Sequence, residues 1–199
     1  IRRPPRSTQS RSSAASDVYK RQPLACEADS DGALTMQILH LVSGKPSCLL
    51  DLRFFDRAQG VYVMPNCGAA PTWFAARSDD PAENLAHVRI VPSITKYAGG
   101  GAHVEFVFGP GEVTMARLSR SPGGYRMVIG RGETQQHTIR EVVGTNPRWP
   151  HAFVRANVSP EAMVQKMEAN HLHLVAGDYR AELVALCRML KVEPVLLDD

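Results

Sequence analysis

Residues 103–133 read HVEFVFGPGEVTMARLSRSPGGYRMVIGRGE, and their pattern sets the fold class. β-Branched and aromatic residues recur between two turn signals, Gly-Pro-Gly at 109–111 and Ser-Pro-Gly-Gly at 121–124. Such punctuation predicts antiparallel hairpins, because Gly and Pro supply the backbone angles that tight turns need. Upstream, residues 28–46 predict a helix capped by Ser30 or Asp31. Its apolar positions Leu34, Ile38, Leu41 and Val42 recur at helical spacing, and Gly44 and Pro46 stop it. SCLLDLRFF (47–55) reads as a buried strand with Asp51 as its one polar intruder, and GVYVMPNCG (60–68) as a second strand running into a loop. Residues 77–87 read as a polar loop, and three glycines at 99–101 mark a tight backbone passage. Downstream, SPEAMVQKMEAN (159–170) predicts a capped helix, HLHLVAG (171–177) a strand, YRAELVALCRMLK (179–191) an amphipathic helix and VEPVLL (192–197) a last short strand. The expected class is α+β: an N-terminal helix, a central antiparallel β body that can close into a barrel, and a terminal strand–helix–strand unit.

The chain has 199 residues, 44% hydrophobic and 22% charged, ordinary for a globular domain with a proper core. No apolar run approaches the roughly 20 residues of a helical membrane span, so no membrane partner is expected. Cys26, Cys48, Cys67 and Cys187 are widely spaced, with no CxxC pair, which points to thiols in a reducing cytoplasm rather than to a disulfide framework. The net charge of +3 invites a nucleic-acid partner, but the excess sits in residues 1–22, IRRPPRSTQSRSSAASDVYKRQ. That Arg/Ser-rich stretch has no helix or strand period and looks like translated sequencing-adapter read-through, a non-native disordered tail. Without its six basic residues and its one acid, Asp17, the formal charge falls from +3 to −2, and no nucleic-acid partner is expected. The tail 1–22 is therefore expected to stand apart from the rest of the chain.

Three segments carry polar residues in odd places. Asp51 is a carboxylate inside CLLDLRFF, costly to bury unless paired or bound to a metal, though a strand end facing solvent would also accommodate it. In CEADSDG, Asp29 and Asp31 suit helix capping and the helix dipole, whereas Glu27 lies before the cap and is not needed for it. In NHLHLV, alternation puts His171 and His173 on one face, where core hydrogen bonds or a metal would satisfy them. Two carboxylates and an imidazole suit a hard divalent ion such as Mn²⁺ or Mg²⁺ better than zinc, given the scattered cysteines.

CEADSDGALTMQILHLVSG (26–44), LLDLRFFD (49–56), NCGAAPTWFA (66–75), KYAGGGAHVEFVFGPGEVTMARL (96–118), MVIGRGE (127–133), WPHAFVR (149–155) and NHLHLVAGDYRAELVALCRML (170–190) follow one another in an order that resembles the C-terminal half of the L-fucose isomerase family. The resemblance covers essentially all of residues 23–197, and it implies that 23–45 end a truncated α/β domain and that 46–199 form the C-terminal isomerase domain. It implies a cytoplasmic aldose–ketose isomerase working through a cis-enediol, with Mn²⁺, or another divalent ion such as Mg²⁺ or Co²⁺, held by Glu27, Asp51 and His171. It implies that Glu27 and Asp51 also serve as the acid/base pair, and it selects His171 over His173. Trp149, Asn170 and Tyr97 would line the sugar site, and upstream domains and a hexamer would complete it. The sugar is L-fucose or a similar one; L-arabinose isomerase and a non-catalytic sugar-binding relative are the alternatives. The ligand atoms should then stand roughly 3–4 Å apart, with His173 outside the cluster.

Overall fold

The computed structural model describes residues 23, 25–67, 70–92, 102–137 and 148–198. Among them are four α-helices and an open eight-stranded sheet that is antiparallel but for one pair, with a separate two-stranded ribbon. The α+β expectation stands; the tail 1–22 and Tyr97 lie outside the described residues.

Helix α1 (Ser30–Ser43) leads into β1 (Ser47–Asp51), β2 (Phe54–Asp56) and β3 (Val61–Pro65). A 3₁₀ turn (Thr72–Ala75) and α2 (Pro81–Ala86) follow, then the ribbon strands β4 (Arg89–Pro92) and β5 (Ala102–Glu105). The hairpin read from residues 103–133 is β6 (Gly111–Ser121) and β7 (Gly124–Thr134), paired along their whole length. Their turn is Pro122-Gly123, and Gly124 takes φ 130°, a region that side-chain-bearing residues rarely adopt. β8 (His151–Arg155), α3 (Pro160–Met167), β9 (His171–Ala176), α4 (Arg180–Leu190) and β10 (Glu193–Leu196) complete the order.

The sheet runs β1-β9-β6-β7-β8-β3-β2. β7 shares its second edge: β10 lies parallel to it at Arg126–Ile129, and β8 pairs at Glu133 and Thr134. β1 and β2 stand at opposite ends of this path, yet only Leu52 and Arg53 separate them. Two residues span about 7 Å at most, so the sheet must curl until its edges nearly meet. Consecutive amides mark the corner: Leu52 N–H donates to Asn170 O (2.7 Å) on the β9 side, and Arg53 N–H to Val63 O (3.1 Å) on the β3 side. The curl stops short of a hydrogen-bonded barrel, because β1 and β2 do not pair with one another.

The inside of the curl holds the larger core, with Cys48, Leu50, Tyr62, Met64, Met115, Val128, Val154, Leu172 and Leu174. A second core lies between the outer face and the helices, built from Leu39, Ala116, Leu118, Met127, Ile129, Val175, Leu183 and Cys187. Both faces of the central strands are thus buried, which is why their sequence is nearly continuously apolar.

Three readings need correction, and one strand was not read at all. The cap of α1 is Asp29, whose carboxylate accepts from Gly32 N–H, rather than Ser30 or Asp31. The buried face of α1 is Gly32, Thr35, Met36 and Leu39, while Leu34 and Leu41 are 48% and 73% exposed. The segment 77–87 contains α2, started by Asp80 as cap and Pro81 at the first helical position, a pairing that favours helix initiation. Residues 151–155, quoted above only as a motif, form β8. Helix α1 also packs directly on the strands that follow it: Ser47 Oγ donates to Met36 O (3.0 Å), and Leu118 N–H to Thr35 Oγ1 (2.9 Å).

Candidate active site

β1 and β9 pair antiparallel with Asp51 opposite His171, so the end of one strand and the start of the other share a corner. Leu50, Leu172 and Leu174 point into the larger core; alternation turns Asp51, His171 and His173 to the outer face, toward α1. Asp51 Oδ1 lies 3.6 Å from His171 Nε2 and accepts from Asn170 Nδ2 at 3.2 Å. Glu27 sits in the turn before α1 and brings Oε2 to 3.7 Å from the same Nε2. That turn holds Glu27 and Ala28 both at φ 58°, a left-handed conformation costing about 1–2 kcal/mol per residue. The Glu27 side chain is 57% exposed, whereas that of Asp51 is only 21% exposed. One carboxylate faces arriving solutes and the other is enclosed. Burial raises the Asp51 carboxyl above its ordinary range, with Glu27 adding to the rise and His171 opposing it.

Asp29 is the residue whose role sequence reasoning missed. Its Oδ1 accepts from Gly32 N–H at 2.8 Å, the capping bond, and its Oδ2 bonds both Arg117 Nη1 and His171 Nδ1, the latter at 2.7 Å. Burial works against charge on Asp29, but the hydrogen bonds from Arg117, His171 and Gly32 outweigh it and hold the carboxyl well below the usual range. An ionised carboxylate only accepts, so its bond to His171 calls for a proton on Nδ1 and sets Nε2 toward Glu27 and Asp51. A signal was available in the apolar run TMARL: Arg117 is an arginine in a buried strand, and such a charge needs a buried partner.

His173 stands apart from this corner. It is fully buried, with Nδ1 3.2 Å from Ala116 O, and burial foremost pushes its pKa down to about 3. Its Nε2 faces Gly32, where an added Cβ would stand 2.8 Å away.

Other expected site residues lie along the same rim. Trp149 precedes β8, and its neighbour Pro150 accepts from Asn66 N–H (2.9 Å), just past the end of β3. Asn66 Nδ2 donates in turn to Leu49 O (2.7 Å), so the Trp149 segment is tied to β1 two residues from Asp51. Trp149 is half-buried, and its indole Nε1 has no hydrogen-bond partner. All four cysteines are thiols; Cys26 and Cys67 bring their sulfurs to 3.9 Å beside the carboxylates.

The donor set suits a divalent cation: two carboxylate oxygens and an imidazole nitrogen, with edges of 3.6 and 3.7 Å. Donors about 2.0–2.3 Å from one ion are separated by roughly 3–4 Å, so the residues present fit such a group. As they stand they are not drawn together: among the described residues no group of three or more His, Cys, Asp and Glu is placed to hold a metal ion.

The family model described as L-fucose isomerase, C-terminal domain, matches residues 64–197. Curated relatives include a sulfoquinovose isomerase from Alkalicoccus urumqiensis, 33% identical over 175 residues, covering 87% of this chain and 37% of the relative. Sulfoquinovose isomerases from Clostridium sp. (strain MSTE9) and Priestia megaterium (strain ATCC 12872 / QMB1551) are 30% and 29% identical, each covering 85% of this chain and 36% of the relative. The chain thus spans about a third of the length of these relatives. With the family model covering most of its length, the chain belongs to the L-fucose isomerase C-terminal domain family.

Proposed function

We propose that this chain carries the metal-holding part of an aldose–ketose isomerase, with Glu27, Asp51 and His171 as ligands of a divalent cation of the manganese type. The observation that supports it is the approach of both carboxylates to His171 Nε2 while Asp29 occupies Nδ1. When bound, such a cation polarises the carbonyl and neighbouring hydroxyl of an open-chain sugar. Glu27 and Asp51 then have the chemistry to take a proton from one of C1 and C2 and return it to the other, since one carboxylate accepts while its partner donates. Asn170 Nδ2 steadies Asp51 Oδ1 for this role. Half-buried Trp149 would give a sugar an apolar ring face. The relatives' names make sulfoquinovose the first sugar to test, ahead of L-fucose and L-arabinose. A hexamer in the cytoplasm belongs to the same reading and rests on family membership alone.

Because the three ligands belong to this chain, metal affinity is the primary readout. Titration with Mn²⁺, followed by the electron paramagnetic resonance of the free ion, should show one site in the wild type. Asp51→Asn and His171→Ala should weaken it at least tenfold; binding equal to wild type in both variants would sink the reading. Incubation with each sugar in D₂O and Mn²⁺ then tests for exchange at C2. Since upstream domains would complete the sugar site, this arm is run on the full-length protein, where sugar binding without exchange would favour the non-catalytic relative.

A further inference from the structure

We propose that Asp29, anchored by Arg117, is a positioning residue that fixes which nitrogen of His171 faces Glu27 and Asp51. Two of the three groups on the Asp29 carboxylate can only donate, Gly32 N–H on Oδ1 and Arg117 Nη1 on Oδ2, and His171 Nδ1 shares Oδ2 with that arginine. The carboxylate therefore demands a proton on Nδ1, and Nε2 is left as the free donor atom 3.6 and 3.7 Å from the two carboxylates. Capping alone does not require this residue, since Ser or Asn serves as well at a helix start. What only a carboxylate supplies is a second oxygen that accepts from arginine and imidazole together. The surroundings are built to that oxygen. A Cβ on Gly32 would stand 2.6 Å from Asp29 Oδ2, so the glycine keeps the space open. The Asp29 and Arg117 side chains are each only 11% exposed, so water competes little for the pair. The inference deepens the proposed function and rests on it only for its consequence for metal affinity.

The test is the tautomer of His171 in the metal-free chain, read by long-range proton–nitrogen correlation of a ¹⁵N-histidine-labelled sample. The wild type should show the Nδ1–H form. Asp29→Asn can donate to Nδ1, and should move His171 toward the Nε2–H form. It should also lower Mn²⁺ affinity by roughly 10- to 100-fold, the usual effect of losing a carboxylate behind a metal-binding histidine. The melting temperature should fall by roughly 10 °C, because Asn keeps the cap but buried Arg117 loses its ionised partner. Asp29→Ser keeps the cap without the carboxylate and should lose the preference for Nδ1–H. An Nε2–H tautomer in the wild type, or an unchanged tautomer in both variants, overturns the inference. A wild type with the Nδ1–H form but no Mn²⁺ affinity supports the positioning role while the isomerase reading fails.

Discussion

Gly32 shows how much the site depends on one missing methyl group. Alanine normally favours a helix interior over glycine by about 1 kcal/mol. Here its Cβ would stand 2.6 Å from Asp29 Oδ2 and 2.8 Å from His173 Nε2, both on side chains packed against other groups. Gly32→Ala should therefore destabilise the chain by about 1–3 kcal/mol in urea unfolding, as overpacking does, and weaken Mn²⁺ binding by displacing Asp29. An increase in stability would show that the space is not needed. His151 makes a second case. It is fully buried, and burial pushes its pKa down to about 4 from an ordinary 6.5, against the opposing bond to Trp149 O. The fold thus accommodates the neutral ring, and the unfolded chain binds the extra proton between those values. The stability this contributes is complete above pH 6.5 and is lost as pH falls toward 4, at about 1 kcal/mol per pH unit inside that window. Asp29 is depressed instead, so its loss begins only below about 3.8 and does not overlap. Buried His173, pushed down to about 3, titrates across the same window, so His151→Gln should lessen rather than abolish the slope between pH 6.5 and 4 in denaturation followed by circular dichroism; an unchanged slope would mean that the ring is charged in the fold. At this scale the sequence was informative where a polar residue stood against its surroundings. Asp51 interrupts an apolar strand, and Glu27 precedes a cap that does not need it. Asp29 hid because capping explains an aspartate there completely, and nothing local reveals the task of its second oxygen.

The elements were legible wherever period and punctuation agreed, as in the β6–β7 hairpin and in α3, where Ser159 caps and Pro160 begins the helix. The face of α1 was not. Leucines at 34 and 41 suggested one stripe, yet the helix lies across β1, β9 and β6 by way of Gly32, Thr35, Met36 and Leu39. The reason is close approach: Thr35 Oγ1 accepts from Leu118 N–H and its hydroxyl donates to Asp31 O, which satisfies a strand amide that β9 leaves unpaired. A small polar residue at the contact point outweighs hydrophobic period. Leu39→Ala should accordingly cost about 2–5 kcal/mol, as buried leucines do, whereas Leu41→Ala should change stability by less than about 0.5 kcal/mol. Equal losses at the two positions would mean that the outer stripe is covered. Strand β8 was missed for a related reason. WPHAFVR mixes Trp, Pro and His with only a short apolar run, and its strand character comes from partners on both sides, β3 and the end of β7.

At the scale of the whole molecule, the site and the curl of the sheet share one corner. Asp51 is the last residue before the bend at Leu52 and Arg53, where successive amides turn to opposite edges of the sheet. His171 begins the strand paired to it, and Glu27 reaches the same point from the turn ahead of α1. Three segments distant in sequence thus meet where the curl stops short of closing, and sequence patterns carry no information on such a meeting. An ion at this corner ties the α1 turn to both strands in the folded state, while the unfolded chain offers no assembled site. It must then stabilise the whole chain by mass action, by about 2.7 kcal/mol at a free concentration one hundred times the dissociation constant. For a chain of this size each kcal/mol raises the melting temperature by roughly 2–4 °C, so saturating Mn²⁺ should raise it by about 5–10 °C, and EDTA should reverse the rise. His171→Ala should abolish the shift without abolishing folding, because its partners Asp29 and Glu27 keep water or Arg117 as alternatives. Calcium at the same concentration should give a smaller shift, since it seeks more oxygen ligands than two carboxylates and an imidazole provide. If wild type and His171→Ala rise equally with Mn²⁺, the ion is binding elsewhere, and the corner of the sheet is a structural joint rather than a metal centre.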